Sequence, residues 1–213
     1  METIFKILYE NDDLIAMDKP AGISTIPERN REKDCFLHLI RKQVQQPVMT
    51  VHRLDKEVSG VIVFAKNPAA HKRFNMLFDQ RQVHKTYVAI IHGCMADDQG
   101  EIRKPIRQFG SGRMGVDMEK GKPSITQFDV KQKSERYSKV MLYPLTGKRH
   151  QLRVHLYDAG HAIVGDPLYG DKHLQSQFHR LMLHAHKIEF EWEGMGHLEI
   201  ESAVPEVMDR FEI

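Results

Sequence analysis

The longest uninterrupted apolar runs in this chain are five residues, among them Val61–Ala65 (VIVFA) and Tyr87–Ile91 (YVAII). Runs this short, bounded by turn residues, suit buried strands rather than long helices. A membrane-crossing helix needs about 20 apolar residues, so none is expected. The opening METIFKILYEND has no basic segment leading into a long apolar stretch, so no signal peptide is expected. The 213 residues suffice for one large domain or for one domain with two lobes. At 41% hydrophobic and 28% charged, the composition is that of an ordinary soluble globular protein. Cys35 and Cys94 form neither a CxxC pair nor a disulfide framework, which fits a reducing cytoplasm.

Ile4, Phe5, Ile7, Leu8 and Tyr9, followed by Leu14, Ile15 and Met17, predict two short strands around an Asn11-Asp12-Asp13 turn. Lys19-Pro20-Ala21-Gly22 ends that pattern in a loop. Asp34 can cap a helix carrying Phe36, Leu37, Ile40 and Val44. Met49–Val51 enters a strand and Gly60–Ala65 is a fully apolar one. Asn67 then Pro68 reads as a helix start, with Phe74, Leu77 and Phe78 on one face. Lys85–His92 is another buried strand. The Gly-, Arg- and Lys-rich stretch 105–123 reads as a long, mobile basic loop. Strands are expected at 124–131 and 138–145, a helix at roughly 149–158 ended by Gly160, strands near 180–190 and 197–203, and a short closing helix. Many strands, few helices and no regular alternation predict an α+β fold around a largely antiparallel or mixed sheet.

Net charge is only +2, but it is unevenly spread. Residues 99–153 hold 13 Lys and Arg against 5 Asp and Glu, and residues 187–213 hold 2 against 8. A basic middle and an acidic tail fit either a one-sided positive surface or two solvated faces of opposite sign.

Four segments concentrate chemistry. His52-Arg53-Leu54-Asp55 lies between two apolar strands, where sites are built, although a capped turn would look the same. Lys85-Thr86-Tyr87 opens a buried strand, where a Tyr usually packs its ring and wets its hydroxyl. In Thr146–His155 (TGKRHQLRVH), Arg149 and Arg153 are four apart and would share a cationic helix face, with Leu152 and Leu156 turned inward. In Arg180–His186 (RLMLHAH), His184 and His186 would face one side of a strand; with His155 or His161 they allow a metal-dependent hydrolase as a rival reading. No Asp, Glu or Cys at ligand spacing supports it.

Taken together and in this order, the segments resemble the RluA family of pseudouridine synthases. The match runs from ILYENDDLIAMDKPAGIS through HRLDKEVSGVIVFAKN and KTYVAIIHG to TGKRHQLRVHLYDAGHAIVGDPLYG and RLMLHAHKI. The resemblance implies the pseudouridine synthase fold: a mixed, largely antiparallel sheet in two lobes with a central catalytic cleft, residues 1–213 forming a single catalytic domain without the S4 domain of many relatives. It implies isomerisation of uridine to pseudouridine in tRNA or rRNA, with Asp55 as the catalytic Asp, Tyr87 as the active-site Tyr and Arg153 as the basic partner of Asp55. Leu183 would pack in the uracil pocket and Arg53 would fill or support the gap left by the extracted base. Other expected RNA contacts are His52, Lys85, Lys148, Arg149 and His150. No cofactor and no metal are expected, and the partner is a structured RNA bound by a cytoplasmic monomer. A non-catalytic RNA-binding module of the same fold is the other alternative. Val58 and Lys148 stand where the family usually has Thr and Arg; Lys148 keeps the charge and loses bidentate contact.

Overall fold

Period-two and period-3.6 apolar patterns become twelve strands and five helices in a computed structural model that describes residues 4–27, 35–110 and 112–213. The chain divides into two compact units: Met1–Lys85 with Ala185–Ala203, and Thr86–His184 with Val204–Ile213.

The first unit carries β1 (Ile7–Glu10), β2 (Leu14–Lys19), α1 (Phe36–Val44), β3 (Met49–Thr50), β4 (Ser59–Ala65), α2 (Pro68–Asp79), most of β11 (Leu183–Trp192) and β12 (Gly196–Glu201). Asn11 makes the first hairpin because its side-chain oxygen accepts from the Asp13 and Leu14 amides, both at 2.8 Å. β2 pairs antiparallel with β4, which is buried along its whole length and flanked by β2 and β11. Asn67 caps α2 by accepting from Ala70 N at 2.8 Å, while its amide donates to Asp13 Oδ1 at 2.9 Å. Asp13 Oδ2 also accepts from Trp192 Nε1 at 3.0 Å. The bonds from Asn67 and Trp192 hold the Asp13 carboxyl below its usual range. The inner face of α2 then places Phe74 against Phe190 and Trp192, at ring separations of 5.0 and 4.8 Å. Helix α1 buries Phe36, Leu37 and Ile40 as its spacing predicts, with Cys35 as N-cap; Asp34 lies outside the described residues.

In the second unit, the rest of β5 (His84–His92) is followed by β6 (Gln99–Arg103), β7 (Ile106–Phe109), β8 (Arg113–Val116), β9 (Ile125–Lys133), β10 (Tyr137–Pro144), α3 (Gln151–Asp158), α4 (Lys172–Gln175) and α5 (Glu206–Asp209). The strands run in the order β5-β10-β9-β6, each pair antiparallel. The stretch 105–123 is therefore not one mobile loop. It holds an antiparallel β7–β8 hairpin, closed at its base by two bonds between Ile106 and Lys122, 3.0 and 2.9 Å. Ile106 buries against Val154 and Tyr169, with Met114 and Val116 packed on them. Charge and glycine mask this alternation in the sequence: three apolar anchors suffice for a two-stranded ribbon laid on a core.

Helix α3 also departs from expectation. It begins at Gln151, after His150 as N-cap in the left-handed conformation at φ +55°, so Arg149 precedes the helix. Gln151–Leu156 are all buried, so there is no solvated cationic face shared with Arg153. Among the described residues no helix is long and apolar enough to cross a membrane.

Candidate active site

The predicted residues divide between the units. His52, Arg53, Asp55 and Lys85 lie in the first; Tyr87, Lys148, Arg149, His150, Arg153 and Leu183 lie in the second.

Asp55 sits in the loop between β3 and β4, half-buried, with Arg53 exposed beside it. The backbone on either side is clamped. Thr25 Oγ1 donates to Leu54 O at 2.8 Å and accepts from Leu54 N at 3.2 Å. Lys56 O accepts from Gly22 N at 2.8 Å and from Lys19 Nζ at 3.3 Å. A turn closes from Val58 N to Asp55 O at 3.1 Å. Lys19 is fully buried and also donates to Pro20 O and Ile23 O at 2.9 and 2.8 Å. The 19–25 segment, which reads in the sequence only as a break, is thus the brace of the Asp55 loop. Carbonyl oxygens here satisfy a buried ammonium, a role that residue type alone does not announce. Val58, 2% exposed, fills a site where a Thr would bury a hydroxyl.

His52 supports the same loop from its other end. Its Nε2 accepts from Val63 N at 3.0 Å, and its ring lies 5.5 Å from Phe78. Burial pushes its pKa down to about 3, with the charge of Lys85 as a smaller cause. The Lys85 ammonium lies 5.9 Å over Phe78, and burial lowers its pKa too. His52 is therefore a neutral acceptor, not a spare cation. Gly60, at φ +118°, opens β4 so close to Ala185 that a Cβ would stand 2.1 Å from Ala185 O.

In the second unit Tyr87 is half-buried near the start of β5, opposite Leu142 of β10, and Leu183 is buried at the start of β11. Arg153, 1% exposed, holds Asp166 in a two-pronged ion pair, Nε to Oδ2 and Nη2 to Oδ1, both 2.7 Å. Asp166 also accepts from Leu168 N at 2.9 Å and Tyr169 N at 3.1 Å. Gln175 holds that turn from behind, taking Gly165 N at 2.6 Å and Asp166 N at 3.2 Å and donating to Ile163 O at 3.0 Å. Asp166 is a residue that reading by type missed; its Gly-Asp-Pro setting marks a turn but not the partner. The fork fixes the Arg153 guanidinium before any substrate arrives. Lys148 N and Thr146 Oγ1 donate to Gln151 Oε1 at 3.1 and 2.7 Å, which orders the entry to α3. Arg149 is exposed there, and His150 Nδ1 lies 2.9 Å from Tyr169 Oη.

The histidines of the metal reading have other partners. Both His155 ring nitrogens are engaged, with Thr126 Oγ1 and with Lys104 O at 2.9 Å each, and burial lowers its pKa. His161 Nδ1 donates to His92 O at 3.1 Å and His186 Nδ1 to Ser202 O at 2.8 Å. Among the described residues the group spaced like metal ligands is Glu189, His197 and Glu199, and Lys187 already sets an ammonium 3.3 and 3.0 Å from the two carboxylates.

Residues 13–158 match the family model described as RNA pseudouridylate synthase. The chain is 36% identical to the dual-specificity RNA pseudouridine synthase RluA of Vibrio cholerae over 186 residues, covering 86% of this chain and 76% of the relative. Against the RluA of Escherichia coli K12 it is also 36% identical, covering 84% and 83%. Among solved structures, human RNA pseudouridylate synthase domain containing 1 superposes with a TM-score of 0.81 at 27% identity, over 94% of this chain and 83% of that one. The human domain containing 4 gives 0.81 at 24% identity, over 95% and 90%, a likeness of fold. These matches fit the largely antiparallel α+β architecture, and the family-model match spans both the Asp55 loop and Arg153: the chain belongs to the RNA pseudouridylate synthase family and is an isomerase acting on uridines in RNA.

Proposed function

We propose that Asp55 is the catalytic carboxylate of this isomerase and that residues 1–213 work as one catalytic domain. The observation that carries the reading is the loop that holds it: a half-buried carboxylate on a backbone clamped by Thr25, Lys19 and Gly22, inside the matched region. Pseudouridine formation breaks the N1–C1′ bond, makes a C5–C1′ bond, and exchanges the C5 proton for one on N1. Nothing is oxidised and no group is gained, so the scheme calls for no cofactor or metal. Asp55 either attacks C1′ as a nucleophile or takes a proton from C2′ as a base. Both roles need the ionised form, which a neighbouring cation favours; Arg153 is assigned that part. The Tyr87 hydroxyl is assigned the C5 proton after the base has turned, and Leu183 a wall of the uracil pocket.

The substrate is a structured RNA, a tRNA or rRNA stem-loop, because flipping a base costs least where stacking is already weak. Arg149 and Lys148, with the basic β7–β8 hairpin, would offset that cost at phosphates. Arg53 would support the space the base leaves. Lys85 and His150 are secondary RNA contacts, and His52, held neutral, would take part as the support of the loop. The protein is read as a cytoplasmic monomer. Tritium release from bulk tRNA and bulk rRNA labelled with 5-tritiated uridine tests the assignment of substrate. Release from one or both is expected; a wild-type protein that releases none from either would refute it.

A further inference from the structure

Tyr169, 2% exposed, lies in the turn that Asp166 organises and ties it to β8 and to α3. Its hydroxyl accepts from Met114 N of β8 at 3.3 Å, so its own proton is available to His150 Nδ1, 2.9 Å away at the start of α3. Its backbone N–H donates to Asp166 Oδ1 at 3.1 Å, the oxygen that also takes Arg153 Nη2 at 2.7 Å. Two guanidinium groups lie against its ring: Arg153 at 5.2 Å and Arg113 of β8 at 5.3 Å. Arg113 is exposed, on the hairpin. Filling this core would need only a Phe. A buried hydroxyl bonded to two separate elements instead fixes their register, because a shift of either leaves a polar group unpaired.

We propose that Tyr169 is a positioning residue that registers the β7–β8 hairpin against Arg153, so that a phosphate held by Arg113 is felt at the Arg153–Asp166 pair. The proposal rests on the reading in which Arg153 serves the isomerisation. An RNA contact on an exposed arginine would then assist the chemical step as well as binding, through a single ring and its hydroxyl.

A double-mutant cycle between Arg113→Ala and Tyr169→Phe tests this. Single-turnover rates at saturating RNA and filter-binding affinities are measured with whichever 5-tritiated bulk RNA the wild type modifies. Each single variant is expected to lower the rate constant by about fivefold, an effect of coupling rather than of contact alone. In the Tyr169→Phe background, Arg113→Ala should lower affinity and leave the rate constant where it was. Rate effects that multiply, or an Arg113→Ala variant that changes affinity alone, would overturn the proposal. Amide exchange at Met114 without RNA should quicken in Tyr169→Phe, and unchanged exchange counts equally against it. If Tyr169→Phe does not fold, His150→Gly suits φ +55°, removes the same bond from its other end and replaces it in the cycle. Absence of turnover in the wild type would instead count against the proposed function, while the exchange measurement still judges Tyr169.

Discussion

Arg153 shows how much a residue's role depends on what its neighbours already use. As a sequence position it pairs with Arg149 on a basic face; in the fold it is sealed in, its guanidinium gripped by Asp166, while Arg149 stands in solvent ahead of the helix. The two arginines therefore make different predictions. Removing one member of a buried ion pair costs about 3–5 kcal/mol because the other charge is stranded, so Arg153→Ala confounds folding with catalysis. Arg153→Lys keeps the charge and loses the fork. It is expected to lower the single-turnover rate by about tenfold or more while RNA affinity stays within about threefold, as suits a guanidinium whose charge acts only where the fork holds it. A wild-type rate would remove the fork from the mechanism. Arg149→Ala should weaken binding across RNA sequences and flatten the slope of log affinity against log salt by roughly one unit; an unchanged slope would mean that Arg149 meets no phosphate.

The elements legible in the sequence are those whose signal is local. The Asn11 turn, the Asn67-Pro68 start of α2, the apolar β4 and β5, and the stop at Gly160 follow from side chains acting within a few residues. Non-local elements were less readable. The β7–β8 hairpin is anchored by Ile106, Met114 and Val116 on a core built from α3 and Tyr169, and its own composition is that of a loop. The burial of α3 on all sides depends on partners for Gln151, Arg153 and His155 that lie 13 to 51 positions away. Of the candidate site, the Asp55 loop was legible as a motif, whereas its brace at Lys19 and Thr25 was not, since a lysine that feeds carbonyls looks like any surface lysine. Gly60, just past that loop, offers the element-scale test of how tightly β4 lies on β11. At φ +118°, with Ala185 O where a Cβ would stand, Gly60→Ala should destabilise the protein by about 3 kcal/mol or more, read as a drop in the urea midpoint. A loss below about 1 kcal/mol would show that β4 and β11 separate easily there.

For the molecule as a whole, pH should act through histidines held neutral. The pKa of His52 in the fold is about 3 against an ordinary 6.5, and that of His155 is lowered as well. Above 6.5 neither state takes the proton, and this contribution to stability is complete. As pH falls below 6.5 the unfolded chain binds protons that the folded chain refuses, so stability declines by up to about 1.4 kcal/mol per unit for each such histidine. Urea midpoints should hold steady from pH 8 to 7 and fall from 6.5 towards 5, with a shallower fall in His52→Gln; a midpoint constant down to pH 5 would contradict this reading of the two rings. Among the side chains assigned to the reaction, Asp55 is the one asked to act at the sugar, with Arg153 and Tyr87 in support. The most direct measurement compares wild type with Asp55→Asn for tritium release under single-turnover conditions and for affinity towards the same RNA. Asn keeps the shape and loses the charge, so release should vanish while affinity stays within about threefold, the mark of an interaction needed in the transition state alone. Substantial release by Asp55→Asn would contradict the account.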